Sequence, residues 1–506
     1  MKKATTILKN AIVLTMNQNY EIFEPGAVVI DADKIIAVGP QEEILSSFQA
    51  EETIDCGEKV LLPGLVNTHT HVPMSVLRGL SDDLRLDVWL MGYMMPVERE
   101  FVSPEFVRLG TKIGCAEFIR SGITTFNDMY YFEDHVAEAT AEVGLRAVVG
   151  QTVMKFTAPD AQSFEDSIAL CENLIKKWQD HPLIVPAIAP HAVYTCTPDV
   201  LTSVVELANK YNARVHFHVS ETKDEVENLR RETGLPVIPY IRQFGMLETK
   251  LTAAPCVWLD EGEIRTLKNA NVGIAHNPTS NLKLASGFAP VARMMELGCN
   301  VGVGTDGSAS NNDLDMFEEI RLANLVAKNA AGDPTVLPAR QTLAMATIIG
   351  AKALHLDDII GSLEPGKRAD LILVDISPIH NQPRFRRDPK GIYAQLIYAS
   401  KSTDVTDTMV NGRWLMRNRE LLTLDEQQLI SEARQIAARI DEFLKGREES
   451  VYSKLIAIGG AAEEESFEVQ VKVKVENIAP VLDALFQPDI KIIRKSHYHC
   501  LLYTSD

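Results

Sequence analysis

One stretch decides the fold: Val60-Leu61-Leu62-Pro63-Gly64-Leu65-Val66-Asn67-Thr68-His69-Thr70-His71, an apolar run that ends in two histidines. Side chains alternate faces along a strand, so residues two apart point the same way. A strand at this place would aim the imidazoles of His69 and His71 into one cavity, where they suit a zinc or iron ion. Two surface histidines would give the same sequence pattern, so the interpretation as a metal site requires further ligands from later strands.

Seven more β-rich runs follow this one, and amphipathic helical patterns separate them. Eight strands that alternate with helices predict a (β/α)8 barrel, the TIM barrel fold of the α/β class. The eight predicted strands are Val60–Thr68, Ile123–Asn127, Leu145–Gln151, Leu183–Ala189, Arg214–Val219, Ala253–Leu259, Val272–Ala275 and Asn300–Gly304.

The segments on either side of the barrel have a different sequence pattern. Residues 1–60 and 361–420 contain short strand-like runs punctuated by glycine and proline, which predicts one small discontinuous β-sandwich domain. The barrel domain would then occupy residues 61–360. Residues 421–446 predict a charged amphipathic helix, and residues 447–506 a short C-terminal α/β appendage without a functional interpretation.

Composition excludes some classes of partner. The 506 residues carry a formal charge of -19, which argues against nucleic acid or an anionic membrane surface as partner. The sequence contains no uninterrupted apolar run of about 18 residues, so a membrane span is not expected. Seven scattered cysteines without a C-x-x-C pair indicate a reducing cytoplasm. The oligomeric state stays open, a homo-oligomer included.

Histidines and acids collect where the predicted strands end. Catalytic groups of such barrels lie at the carboxyl ends of the strands. His69, His71 and His218 would offer three neutral imidazoles to one divalent ion, and Asp306 a carboxylate. The alternative is a set of hydrogen-bonded core histidines. Seven of the twelve histidines follow strand ends, which favours a metal: His69, His71, His135, His191, His216, His218 and His276.

These residue types predict hydrolysis. An ion held by them would lower the pKa of a bound water, and Asp306 could accept the water's proton. Glu221, three residues after His218, could act as a general acid towards a ring nitrogen. Its alternative role is that of a carboxylate in the first turn of a helix. The end of strand 4 has no lysine, which favours one metal over a two-metal site bridged by a carboxylated lysine.

Six motifs in order resemble the amidohydrolase superfamily, and they are most similar to its methylthioadenosine/S-adenosylhomocysteine deaminase branch, which is related to chlorohydrolases. The resemblance covers about residues 5–420. The motifs are PGLVNTHTH (63–71), APHAVYT (189–195), HFHVSET (216–222), AHNPTSNLKL (275–284), GTDGSASNN (304–312) and GSLEPGKRADLILVD (361–375).

The resemblance implies a single zinc, with iron as the alternative, bound by His69, His71, His218 and Asp306. It implies substrate contacts at Glu98, His191 and Glu221, and it places Ser310 near the base. Glu98 would hydrogen-bond the ribose hydroxyls. From the residues alone, Glu98 is an ordinary acid within the charged run Glu98-Arg99-Glu100.

Two positions depart from the family pattern. The family has a histidine at the end of strand 6, where it contacts the attacking hydroxide, and this chain has Pro255. The protein would then be an impaired variant, or a water or His276 would replace that histidine, or the chain would only bind its ligand. Family members that accept S-adenosylhomocysteine can use an arginine in the loop after strand 3, where this chain has only Lys155.

The leading hypothesis is therefore a metal-dependent deaminase that releases ammonia from an aminated purine nucleoside: methylthioadenosine, S-adenosylhomocysteine or adenosine. A second hypothesis is a hydrolase of another N-heterocycle, of the triazine deaminase or chlorohydrolase type. A third, from another class, is a metal-binding homologue that is catalytically silent because of Pro255.

Overall fold

The protein, described here by a computed structural model over residues 1–84 and 89–448, is built around a closed barrel of eight parallel strands. Each strand pairs with the next along the chain, and the last pairs with the first. The predicted α/β barrel with a separate sheet is confirmed. The barrel strands are β6 (Leu65–Thr70), β7 (Ile123–Tyr130), β8 (Arg146–Val153), β9 (Ile184–Pro190), β10 (Arg214–Val219), β11 (Lys250–Pro255), β12 (Gly273–His276) and β13 (Asn300–Val303).

Helices lie between the strands and around them. The α-helices are α1 (Gln41–Ser47), α2 (Met95–Phe101), α3 (Pro104–Ser121), α4 (Glu133–Val143), α5 (Phe164–Trp178), α6 (Pro198–Tyr211), α7 (Lys223–Thr233), α8 (Val237–Arg242), α9 (Glu261–Asn269), α10 (Pro278–Lys283), α11 (Val291–Glu296), α12 (Met316–Ala331), α13 (Ala339–Met345), α14 (Ile348–Ala353), α15 (Gly391–Tyr398) and α16 (Glu426–Glu448). A π-helix, Trp89–Met94, precedes α2, and a 3-10 helix, Val72–Leu77, follows β6.

A separate sheet of nine strands combines both ends of the described chain. Its order is β17-β16-β15-β14-β5-β1-β2-β3, and β4 pairs with β1 in parallel. The predicted domain boundaries stay predictions. The strands are β1 (Lys2–Leu14), β2 (Ile22–Asp31), β3 (Lys34–Pro40), β4 (Phe48–Asp55), β5 (Val60–Pro63), β14 (Leu371–Val374), β15 (Val405–Val410), β16 (Arg413–Arg417) and β17 (Glu420–Leu421).

The strand predicted over Val60–Thr68 is two strands in two different sheets. Val60–Pro63 pairs with β1 and β14 in the separate sheet, whereas Leu65–Thr70 is the first barrel strand. The break falls at Gly64, where a Cβ would lie 2.1 Å from the side chain of Thr124. Only glycine allows so close an approach, and a continuous apolar run does not reveal in which sheet each half pairs.

The strand predicted over Ala253–Leu259 lies earlier in the chain, at Lys250–Pro255. Thr252 faces inward and its hydroxyl donates to the carbonyl of Ala353 at 2.7 Å. The amides of Val257 and Trp258 leave the ladder and both donate to the carbonyl of Ser220 at 3.0 Å. Pro255 is therefore the last residue of its strand.

The segment after the last barrel strand closes the amino-terminal end of the barrel. Leu354 and Ile360 pack in one buried cluster with Val66, Val148 and Ala187 from three barrel strands. Helix α14 approaches so closely that a Cβ on Gly273 would lie 1.9 Å from the carbonyl oxygen of Ala353. With that end filled, the carboxyl ends of the strands are left for the functional site.

The C-terminal helix predicted over residues 421–446 is α16, two residues beyond the predicted end. The predicted α/β appendage of residues 447–506 lies outside the described residues, apart from the end of α16. Among the helices that the structure describes, none has the length and apolarity that a bilayer crossing requires.

Candidate metal centre and active site

Three histidines converge at the carboxyl end of the barrel. One ring nitrogen from each of His69, His71 and His218 lies within 4.8 Å of the others. Asp306, in the loop after β13, places its Oδ1 3.4 Å from Nε2 of His69 and 3.4 Å from Nε2 of His71. Side chains from strands on different sides of the barrel thus surround one point.

An irregularity in β6 directs His69 to this point. The register with β7 pairs Asn67 with Phe126 but Thr70 with Asp128, so β6 has one extra residue between them. Val66 faces the cluster at the closed end, and in a regular strand a residue three positions later would face away from it. The extra residue turns His69 to the same side of the strand as Val66. A β-bulge beside an active site often redirects a side chain in this way.

Each of the three histidines has an acceptor or a partner nitrogen at Nδ1. His71 Nδ1 lies 2.6 Å from the Met129 carbonyl oxygen, and His218 Nδ1 lies 2.9 Å from that of His191. His69 Nδ1 lies 2.8 Å from Nε2 of His216. Such partners determine the tautomer, so that Nε2 carries the free lone pair that a metal requires.

Burial favours the neutral form of His69, His216 and His218. It lowers the pKa of His69, and it lowers the pKa of His218 and His216 well below the ordinary value, helped by the neighbouring histidines. Asp306 behaves in the opposite way. Burial would raise the pKa of its carboxyl, but the contacts of its Oδ1 with His69 and His71 hold that pKa well below its usual range. Neutral imidazoles and one ionised carboxylate are the protonation states that a zinc site needs, so these residues fit the ion.

Glu221 lies beyond His218, in the turn that leads to α7. Burial raises the pKa of its carboxyl to about 8, and the charges of Asp306 and Glu225 add to the effect. Glu225 accepts the amide of Glu221 at 2.8 Å and that of Ser220 at 3.2 Å. Glu221 is therefore protonated at neutral pH, on a backbone that Glu225 holds in place.

The other predicted contact residues each have their own described contacts. The ring of His191 lies 5.1 Å from that of His218, centroid to centroid, and its Nδ1 lies 3.0 Å from the hydroxyl of Thr195. Glu98 is buried in α2, where burial raises the pKa of its carboxyl to about 7. Ser310 donates its hydroxyl to the Gly307 carbonyl at 3.0 Å and makes no described hydrogen bond to the histidines.

The two departures from the family pattern have different surroundings. Pro255 lies at the end of β11, paired with Val219. His276 is buried, and burial lowers the pKa of its ring to about 4. Among the described residues, nothing hydrogen-bonds its Nδ1. The ammonium of Lys155 lies over the ring of Phe156, 4.8 Å from the centroid.

Three residues of the site have roles that the sequence did not reveal. His216 is two positions before His218, and that spacing was the available signal for its contact with His69. Tyr130 donates to Glu98, and no motif marks it. Glu133 lies against Asp128 with its whole side chain buried. His135, counted among the histidines at strand ends, instead lies 3.5 Å from the carboxylate of Glu138 on its own helix.

The amidohydrolase family profile matches residues 60–415. A protein of Thermodesulfovibrio yellowstonii named 5-methylthioadenosine/S-adenosylhomocysteine deaminase is 43% identical over 438 residues, which are 86% of this chain and 99% of that protein. A 5'-deoxyadenosine deaminase of Methanosarcina acetivorans is 40% identical over 439 residues, 86% of this chain and 98% of that protein.

Among solved structures, an adenosine deaminase from Xanthomonas campestris with bound zinc superposes with a TM-score of 0.84 at 38% identity. The match covers 87% of this chain and 99% of that one. The fold is thus similar to that of a zinc-bound adenosine deaminase over nearly the full length of that chain.

Proposed function

The chain belongs to the amidohydrolase family, and from that membership and the geometry of its site we propose that it is a metal-dependent deaminase of aminated purine nucleosides. The observation that carries the proposal is the convergence of His69, His71 and His218 beside Asp306, with Nδ1 of every histidine already partnered. Methylthioadenosine, S-adenosylhomocysteine and adenosine are the proposed substrates.

The ligands of a single zinc ion would be His69, His71, His218 and Asp306. A divalent ion at this place supplies Lewis-acid chemistry, because it lowers the pKa of water and polarises the bond to be attacked. Asp306 accepts the proton of the attacking water, since its Oδ1 lies at the proposed metal site, 3.4 Å from Nε2 of His69 and 3.4 Å from Nε2 of His71.

Glu221 performs the acid step. Its buried carboxyl is protonated at neutral pH and donates to the ring nitrogen beside the amino-bearing carbon. The oxygen of the water bonds to that carbon, the bond to the amino nitrogen breaks, and the proton held by Asp306 leaves with ammonia. The proton of the new hydroxyl returns to Glu221 as the ring carbonyl forms. Glu98 contacts the ribose hydroxyls, while His191 and Ser310 lie on the side of the base.

The binding preference follows from the loop after β8. Lys155 offers one cation there, on the ring of Phe156, and an amino-acid carboxylate would have to compete for it. We therefore expect methylthioadenosine and adenosine to be better substrates than S-adenosylhomocysteine. Hydrolysis of another N-heterocycle, such as a triazine, is the second candidate, and Glu98 disfavours it because a triazine has no ribose.

The experiment that tests the proposed deaminase substitutes Pro255. Loss of one positioned polar group at a hydrolytic centre costs on the order of 10² to 10³ in rate. We expect slow ammonia release from the nucleosides by the natural chain and an increase of that order in Pro255→His, but no increase in Pro255→Ala. If neither the natural chain nor Pro255→His released ammonia with zinc bound, the deaminase would be refuted and the silent metal-binding protein would stand.

The cellular location and the partners of the protein are proposed from its composition. Six cysteines of the described chain are all free and buried, as in proteins of a reducing cytoplasm. The net charge of -19 disfavours nucleic acid as a partner. A small nucleoside is the proposed ligand, and association into a homo-oligomer is compatible with these features.

A further inference from the structure

The Glu98 side chain is held in place by a second buried residue. It is 8% exposed in α2, and the phenol of Tyr130 donates to its Oε1 at 2.7 Å. No other described residue donates to this carboxylate. Tyr130 itself is 4% exposed at the end of β7, and burial together with the charge of Glu98 raises the pKa of its phenol well above the usual value. The phenol therefore stays protonated near neutral pH and remains a donor there.

The same strand end also supports the metal centre. The carbonyl of Met129, one residue before Tyr130, accepts from Nδ1 of His71 at 2.6 Å. Met129 and Tyr130 pair with Gly150 and Gln151 of β8, so their positions are fixed by the barrel ladder. A rigid strand thus holds a candidate metal ligand through one residue and Glu98 through the next.

A hydrogen bond to one oxygen of a buried carboxylate has two effects. It stabilises the ionised form, which burial disfavours in Glu98. It also prevents rotation of the carboxylate plane, so that Oε2 and the remaining lone pair of Oε1 face a constant direction. Two adjacent acceptor sites in one plane match two vicinal hydroxyl groups, and hydrogen bonds to a charged acceptor are the stronger kind.

We propose that Tyr130 is a positioning residue that orients the Glu98 carboxylate towards the two vicinal hydroxyls of a ribose and thereby determines selectivity for ribonucleosides over deoxynucleosides. This inference rests on the proposed function, because it assumes a nucleoside in the site. A site built to bond a hydroxyl rejects an analogue that lacks it more strongly than an apolar pocket can.

The test compares adenosine with 3'-deoxyadenosine, which differ by one ribose hydroxyl, on the zinc-loaded full chain. Tyr130→Phe should raise KM for adenosine about tenfold, while kcat changes by less than about threefold and 3'-deoxyadenosine is hardly affected. Tyr131→Phe is the matched control, because the ring of Tyr131 lies 5.0 Å from that of Tyr130 and its hydroxyl makes no described hydrogen bond. It should leave the preference unchanged.

A double-variant cycle separates positioning from a general structural effect. If Tyr130 acts through Glu98, Glu98→Gln should reduce the preference for adenosine at least as much, and adding Tyr130→Phe should reduce it little further. Equal losses for both nucleosides in Tyr130→Phe, or additive losses in the double variant, would overturn the proposal. If Tyr130→Phe does not fold, the preference for adenosine over 3'-deoxyadenosine can still be measured in Glu98→Gln. An unchanged preference there would overturn the proposal.

Calorimetric binding of the same two nucleosides distinguishes this inference from the proposed function. Preferential binding of adenosine without turnover, lost in Tyr130→Phe, would support the positioning role and refute the deaminase. Absence of any preference for adenosine in the unsubstituted chain would refute the positioning role, whether or not ammonia is released.

Discussion

At the residue scale, each of the three candidate histidine ligands would have to present one particular ring nitrogen. Met129, His191 and His216 contact the Nδ1 atoms, so the Nε2 atoms are directed to the centre. The pattern depends on atoms that do not belong to the ligand set, two of them backbone carbonyls. Substitution of a candidate ligand should weaken metal binding more than substitution of a histidine such as His135, which pairs with Glu138 away from the centre.

The first prediction concerns zinc affinity. Changes outside the ligand set cost about ten- to a hundredfold in affinity, so His218→Ala should cost at least about a hundredfold. Chelator competition and bound zinc per chain are the measurements. His135→Ala is the control, because that ring pairs with Glu138 away from the centre. Full zinc occupancy in His218→Ala would exclude His218 as a ligand.

The second prediction concerns Glu133, whose pKa is raised well above its usual value by burial and by the charge of Asp128. The folded chain keeps a proton that the unfolded chain loses above about pH 4.3, so this group's contribution to stability declines as pH rises. Glu133→Gln is isosteric with the protonated acid and has no such loss.

We therefore expect the melting temperature of Glu133→Gln, relative to the natural chain, to increase between pH 5.5 and 8.5. The limiting slope is about 1.4 kcal/mol per pH unit in the free energy of unfolding. Glu165→Gln, an exposed change in the first turn of α5, should give no trend. Parallel pH curves for Glu133→Gln and the natural chain would contradict a protonated Glu133.

At the element scale, the barrel and the sheet are joined by a buried ion pair. Arg146 at the start of β8 donates to both oxygens of Asp370, at 2.8 and 3.2 Å, and the two side chains are 1% and 2% exposed. The amide of Asn411 donates to the same carboxylate at 2.7 Å. The contact holds β8 against the hairpin of β15 and β16. Both Arg146 and Asp370 are therefore expected to stabilise the junction between the barrel and the sheet.

The third prediction follows from this pair. Asp370→Asn leaves the buried guanidinium without a counter-charge, which costs about 3–5 kcal/mol, measured as a lower midpoint of urea unfolding. Lys223→Met breaks the exposed pair with Glu227 and should cost no more than about 0.5 kcal/mol. Equal midpoints for the two variants would show that the buried pair does not stabilise the junction.

At the scale of the whole molecule, the relatives match most but not all of this chain. The match to the Thermodesulfovibrio protein spans 99% of that protein but 86% of this chain. The family profile ends at residue 415, and helix α16 follows it. This helix packs on the barrel: the rings of Phe101 and Phe443 lie 5.5 Å apart, and Arg120 pairs with Glu426.

The fourth prediction is that a chain ending at residue 448 keeps its zinc content, and its turnover within about twofold, because the candidate metal ligands and the described contacts around them all lie before that residue. A chain ending at residue 424 also loses α16 and uncovers apolar surface, so it should melt at a lower temperature. Loss of zinc from the first of these chains would assign a role in the centre to residues 449–506.

Local pattern was enough to predict the barrel, since strands of alternating or continuous apolar residues recur at regular intervals whatever their neighbours are. The sequence also placed His69, His71, His218 and Asp306 at strand ends. Where Val60–Thr68 divides between two sheets could not be predicted, because both halves are equally apolar and only the tight passage of Gly64 past Thr124 separates them.

The sequence by itself determined the kinds of side chain at the carboxyl ends of the barrel strands, and with them the chemistry of the site. Only the tertiary structure decided which nitrogen each histidine presents and that Tyr130 holds Glu98. The physical reason is that these contacts join residues 32 and 147 positions apart. Their geometry depends on strand register, including one extra residue in β6, and a local pattern carries no information about register between distant strands.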